Sequence, residues 1–161
     1  MSSGQPSLSH IGPDGEANMV DVGGKPATLR VAKASGIVRM DSTVLDELLS
    51  GELPKGDALS TARIAGITAA KRTHEWIPLC HPLPLDWIQI AFERASPEVL
   101  RIDCTAKATA RTGVEMEALT GVCAAALTIY DMAKSADKGI VLGPFQLDMK
   151  TGGKSGDYHR R

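Results

Sequence analysis

The longest unbroken helical rhythm in the chain covers residues 112–134, and its spacing limits what the other segments can do. Met116, Leu119, Cys123, Ala126, Tyr130 and Ala133 recur at steps of three and four, which puts them on one helix face and predicts a core stripe. Glu117, Gly121, Ala124, Thr128, Asp131 and Ser135 keep the same rhythm on another face. Two carboxylates stand there among very small side chains, where a solvated face would carry long Lys, Glu and Arg, so this face reads as the wall of a groove. Lys134 follows Asp131 by three positions and therefore lies beside it on the helix.

The flanking segments read as a sheet with helices. Residues 27–40 carry a strand signal, with Leu29 and Val31 opposed to Thr28 and Arg30, and Val38 and Met40 continuing after a break at Ser35-Gly36. Asp41 or Ser42 caps a short helix bearing Val44, Leu45, Leu48 and Leu49, which Gly51 stops. Asp57 caps a second, Ala-rich helix over 58–72, whose Ala62, Ala65, Gly66, Ala69 and Ala70 permit close packing. Three prolines in 77–85 exclude that segment from helix and from a central strand and predict a rigid, extended connector. Ile88, Ile90 and Phe92, then Leu100, Ile102, Cys104, Ala106 and Ala108, alternate with polar positions across a turn at 95–98, an antiparallel hairpin with one buried face. A last strand after Gly143-Pro144 carries Phe145, Leu147 and Met149 on one side.

The order strand, helix in two pieces, strand, strand, helix, strand is the split β-α-β pattern. It predicts an α+β, ferredoxin-like domain, an antiparallel sheet with helices packed on one face. One such domain is expected over 19–157, with a mobile lead over 1–18 and a tail over 158–161. A chain of 161 residues buries roughly 70% of the surface it exposes unfolded and needs no disulfide staple. Cys80, Cys104 and Cys123 form no Cys-x-x-Cys pair, which argues against a disulfide framework and a zinc site, predicts no protein metal ligands, and fits a reducing cytoplasmic compartment. No apolar run approaches the roughly 20 residues of a membrane helix, so a soluble intracellular protein is expected. With 18 basic and 19 acidic residues no global field collects nucleic acid, and an anionic ligand must be held by a local cluster.

Several residue types could carry chemistry. His81, between Cys80 and Pro82 in the stiff connector, is either an acid, base or donor near neutral pH or a satisfied structural histidine. Cys80 reads as a small buried thiol before a nucleophile. Lys55 sits in Pro-Lys-Gly-Asp, where Gly56 allows close approach of a ligand to the backbone. Glu115, Met116 and Glu117 open the long helix, where the dipole favours carboxylates whether or not they are catalytic. Asp131 and Lys134 are either an ordinary ion pair or, buried in their alanine-rich surround, a tuned acid/base pair. Gly152-Gly153-Lys154-Ser155-Gly156 is not a Walker A loop, which needs glycine at the position of Asp148 and a helix after Ser155. It reads as a basic, anion-binding tail or as disorder.

These strings together carry a resemblance. Met19-Val20-Asp21-Val22, Lys55-Gly56-Asp57, Thr61-Ala62-Arg63-Ile64-Ala65-Gly66-Ile67, Ile77-Pro78-Leu79-Cys80-His81-Pro82-Leu83, Thr112-Gly113-Val114-Glu115-Met116-Glu117-Ala118-Leu119, Leu127-Thr128-Ile129-Tyr130-Asp131-Met132 and Gly152-Gly153-Lys154-Ser155-Gly156-Asp157 are similar to the cyclic pyranopterin monophosphate synthase family, the C proteins of early molybdenum cofactor (molybdopterin) biosynthesis. Arg111 departs from the family's usual lysine before Thr112. The resemblance implies a lyase that converts a 3′,8-cyclised dihydro-GTP, supplied by a radical cyclase, to cyclic pyranopterin monophosphate with release of diphosphate. It further implies a homohexamer, a trimer of dimers, with sites between subunits. Carried over by position, it gives Asp131 the general acid/base role, with Lys55, Lys134, His81 and Glu115 as its catalytic neighbours. Leu79, Cys80, His81, Met116, Glu117 and Lys150 are implied to contact substrate, and Lys154, Arg30 and Lys25 its triphosphate. No cofactor is required by the protein, and magnesium would enter with the triphosphate. A non-catalytic nucleotide- or pterin-binding oligomer is the alternative that composition and spacing leave open.

Overall fold

The computed structural model describes residues 15–161, so the expected lead lies outside the described residues as far as position 14. Along the chain come β1 (Thr28–Arg39), α1 (Ser42–Ser50), α2 (Ala58–Lys71), α3 (Thr73–Trp76), β2 (Trp87–Ser96), β3 (Val99–Ala110), α4 (Glu115–Ala133), β4 (Val141–Thr151) and β5 (Tyr158–His159). The strands form one sheet in the order β2-β3-β1-β4-β5, with every neighbouring pair antiparallel. β3 is inserted between β1 and β2, and the helices cover one face, as expected for the α+β class.

Local chemistry sets most boundaries where they were expected. The Asp41 carboxylate accepts the Thr43 N–H at 2.8 Å at the start of α1, and Gly51, at φ 77°, ends it in the left-handed region. Asp57 does the same for α2 by accepting from Ser60 N at 2.9 Å. Pairing of Ile88 with Ala106, Ile90 with Cys104 and Phe92 with Ile102 puts the expected apolar sides of the hairpin together. The proline connector contains neither helix nor strand beyond a short turn, and α3, which the sequence did not announce, precedes it.

Four details differ from expectation. β1 does not break at Ser35-Gly36: a Cβ on Gly36 would collide with the Phe145 ring and stand 2.7 Å from Val122 Cγ1, so the glycine leaves room for neighbours rather than bending the strand. The alternation therefore never changes face. Ala32, Ala34 and Val38 point into the core, and Leu29 lies on the far side, 60% exposed. In β4, Leu147 pairs with Ala34 but Met149 pairs with the adjacent Lys33, so Asp148 is an extra residue and the bulge turns Met149 to the face opposite Leu147. Residues 158–161, expected as a tail, instead supply β5, whose Tyr158 and His159 pair with Lys150 and Met149.

The fourth difference concerns α4. Its fully buried positions on the sheet are Ala118, Val122, Ala125, Ala126, Ile129 and Ala133, whereas Met116, Leu119, Cys123 and Tyr130 are half-buried. The core stripe is thus turned by about one position from the expected one, with Ala126 and Ala133 common to both. Alanine is spread around the whole helix, so the two branched side chains, Val122 and Ile129, decide which way it rolls. The small-residue face is not an open wall either. Gly121 meets Gly66 of α2 so closely that a Cβ on Gly66 would stand 2.8 Å from the Gly121 carbonyl oxygen.

Candidate active site

A groove of about 670 Å³ opens between the segment leading into β1, the proline connector, the start of α4 and the turn after β4. Each element supplies polar groups for a structural reason. The connector, stiffened by its prolines, presents Leu79, Cys80 and His81 along one wall. The first turn of α4 presents Glu115, Met116 and Glu117 at the opposite wall. Lys25, just before β1, Arg30 within it, and Lys154 after β4 bring three cations to the rim, joined by Arg111 at the end of β3. Nine expected site residues are therefore brought together: Lys25, Arg30, Leu79, Cys80, His81, Glu115, Met116, Glu117 and Lys154. Lys150, one strand position behind the turn, faces the same site through its ion pair with Glu115 at 3.8 Å.

The electrostatic centre of the groove is Glu117, only 4% exposed. Burial, reinforced by the charge of Glu115 and opposed by a backbone hydrogen bond, pushes its carboxyl from an ordinary 4.5 up to about 7. Burial and the charge of Glu117 also push the Cys80 thiol up, which favours the packing role of Cys80 over a thiolate nucleophile.

Lys55, Asp131 and Lys134 form a second cluster at the other end of α4, and none of them lines the groove. Asp131 accepts from Lys55 Nζ at 3.0 Å and from Lys134 Nζ at 2.6 Å. Its carboxyl is held below the usual carboxylate range by the hydrogen bond from Lys134 first, then by that from Lys55 and the charges of both. The expected burial of this pair is not found: the Asp131 and Lys134 side chains are 56% and 50% exposed, so pairing alone tunes them. Asp131 opens the last turn of α4 on its exposed side, while Ile129 and Ala133 of the same helix end stay buried.

Among the groove residues given no role of their own from the sequence are Arg111 and, within the Gly-Gly-Lys-Ser-Gly string, Gly153 and Ser155. That string forms a turn with Gly152 and Gly153 at φ 90° and 86°, left-handed conformations that suit glycine. Among the described residues no group of three or more His, Cys, Asp and Glu is disposed to hold a metal ion, and no helix is long and apolar enough to cross a membrane.

An antiparallel α+β domain whose groove sets cations around one buried carboxyl defines a class of protein built to receive a small, polar, anionic molecule. The MoaC family model matches residues 19–153, and the chain belongs to that family. It is 54% identical over 151 residues to the cyclic pyranopterin monophosphate synthase of Corynebacterium efficiens, covering 94% of this chain and 97% of the relative. The synthases of the same name from Herpetosiphon aurantiacus and Novosphingobium aromaticivorans are 55% and 56% identical to it, over 94% of this chain in both cases and 93% and 96% of theirs.

Proposed function

We propose that this protein is a cyclic pyranopterin monophosphate synthase, a lyase of molybdenum cofactor biosynthesis. It converts 3′,8-cyclised dihydro-GTP, made by a radical cyclase, to cyclic pyranopterin monophosphate and diphosphate. The observation that carries the reading is the groove itself: a carboxyl tuned to about 7 inside a ring of cations, in a chain matched to relatives of that name over nearly its whole length. Opening a purine five-membered ring and reclosing a pyran requires several proton transfers, and a group that titrates near neutrality both gives and takes protons. Expelling diphosphate develops negative charge, which Lys25, Arg30, Lys150 and Lys154 are disposed to stabilise.

In this reading Glu117, Met116, Leu79, Cys80 and His81 hold the heterocycle, Glu115 orients Lys150, and Asp131 with Lys55 and Lys134 completes the acid/base set. The lowered pKa keeps Asp131 ionised, so it enters the reaction as a proton acceptor, one made weaker by the two lysines that balance its charge. The protein requires no cofactor of its own, and magnesium arrives on the triphosphate. It acts in the cytoplasm as a homohexamer, a trimer of dimers.

Glu117 and Asp131 are fourteen positions apart in the single helix α4, hence roughly 21 Å along its axis. One reacting ring cannot touch both, so each site draws the two groups from different subunits paired with their α4 helices antiparallel. The glycine-bearing face of α4 is already covered by α2, so the pairing uses another surface. Incubating the protein with the cyclised substrate and measuring diphosphate tests the function directly. Tight binding without diphosphate release would establish the non-catalytic binder instead.

A further inference from the structure

Arg30, which lines the groove, and Lys150, which pairs with its Glu115, are held by the same short piece of chain. The Lys150 ammonium donates to the Ser155 hydroxyl, five residues on, while also pairing with Glu115 at 3.8 Å. The Arg30 guanidinium lies against the bare Cα of Gly153, where a Cβ would overlap its Nη1 and stand 2.8 Å from its Cζ. Arg30 Nε donates to the Ala110 carbonyl at 3.3 Å, so the guanidinium is fixed on one side by β3 and on the other by the turn. The turn is itself closed: Gly152 N donates to Asp157 Oδ1 at 3.2 Å, Gly156 N to the Gly153 carbonyl at 3.3 Å, and β5 then pairs Tyr158 back onto Lys150.

We propose that the turn between β4 and β5 is the positioning element of the anion site: Ser155 acts through Lys150, and Gly153 acts through Arg30. A lysine side chain has four rotatable bonds, and holding its ammonium beforehand removes an ordering cost that anion binding would otherwise bear. Arg30 gains orientation in the same way, because its planar fork recognises phosphate oxygens only at the correct angle. The proposal depends on the reading of the groove as a triphosphate site, and it adds two residues of the groove whose role runs through Lys150 and Arg30.

Calorimetric titration of the full chain with inorganic triphosphate, at fixed pH and ionic strength, separates the two. Ser155→Ala is expected to weaken binding about tenfold, the scale of one charge-assisted hydrogen bond. Ser155→Thr, which keeps the hydroxyl, should bind within about twofold of wild type, and Ser155→Ala added to Lys150→Met should cost nothing further. Gly153→Ala should weaken binding in the presence of Arg30 and have no effect in an Arg30→Ala background, although the strain of a side chain at φ 86° is present in both. Losses that add in full to those of Lys150→Met and Arg30→Ala would overturn the positioning role. Absence of triphosphate binding by the wild-type chain would overturn the anion site itself.

Discussion

Lys55 holds Asp131 twice, donating from one ammonium to the carboxylate at 3.0 Å and to the backbone carbonyl of the same residue at 2.8 Å. The loop before α2 is thereby tied to the end of α4, and the carboxylate is fixed in direction as well as charge. Asp131→Asn keeps the shape, and the side chain is exposed, so folding should be nearly unaffected. Turnover should fall by at least about a hundredfold, the scale of a lost general acid or base. Near-normal diphosphate release would remove Asp131 from the mechanism.

The two lysines around Asp131 should be separable by titration. Lys134 is the larger cause of the lowered carboxyl pKa, so Lys134→Met should let it rise more than Lys55→Met does. A carboxylate that takes up its proton at higher pH moves the acid limb of a pH–rate profile upward. Carbon-detected NMR of Asp131 in the two variants measures the order, and equal titration curves in both would refute the assignment.

Glu117 makes the opposite prediction for stability. Its folded-state pKa is raised, from 4.5 to about 7, so the fold is favoured by its protonated form. That contribution is fully present below pH 4.5 and is lost as pH rises through 7. Glu117→Gln has no such slope and should gain on wild type between pH 4.5 and 8, by up to about 3 kcal/mol. Urea midpoints across that range would show it; a difference that stays constant with pH means Glu117 is not held neutral.

The distance between Glu117 and Asp131 allows a genetic test of subunit composition. Co-refolding inactive Glu117→Gln chains with inactive Asp131→Asn chains should restore up to about a quarter of wild-type activity, since half of the dimers are mixed and each keeps one intact site. A mixture that remains inactive, with exchange of subunits verified, would assign both groups to one chain.

The tightest helix contact should be the least forgiving. Gly66→Ala drives a methyl to 2.8 Å from the Gly121 carbonyl, a backbone atom that cannot rotate away, and should cost about 1–3 kcal/mol in thermal or urea unfolding. At Gly51 nothing lies within 4 Å of an added Cβ, so an alanine there meets only its left-handed backbone and should cost about 1–2 kcal/mol. Unchanged stability of Gly66→Ala would mean that α2 and α4 are free to separate.

What was legible in the sequence was what neighbouring residues decide. Asp41, Gly51 and Asp57 mark helix ends by their own side chains or backbone, and the alternation of β2 and β3 needs no distant partner. What was not legible depends on remote chain. Gly36 reads as a break until Phe145, more than a hundred positions away, is seen to fill its empty side. Met149 changes face because β1 pairs across Asp148, and the tail becomes β5 because β4 offers it an open edge. In the site, motif strings located the groove residues, but Asp131 looked buried because its helix neighbours are small. Only the three-dimensional placement shows that Glu117, beside the connector, is the carboxyl removed from water.

The contact between Gly66 and Gly121 has a mechanical meaning. Most helix pairs are spaced by side chains that exchange rotamers as temperature rises, so their separation is a time average. Here main chain approaches main chain directly, with Ile90 and Cys104 packed beside the contact. Ten residues farther along α4, roughly 15 Å from that point, stands Asp131. Lys55 precedes α2 by only three residues, at the end of that helix nearest Asp131. The two glycines thus act as a fulcrum for a pair of arms, and the ion pair at the tips closes the same helix pair whose spacing the glycines set.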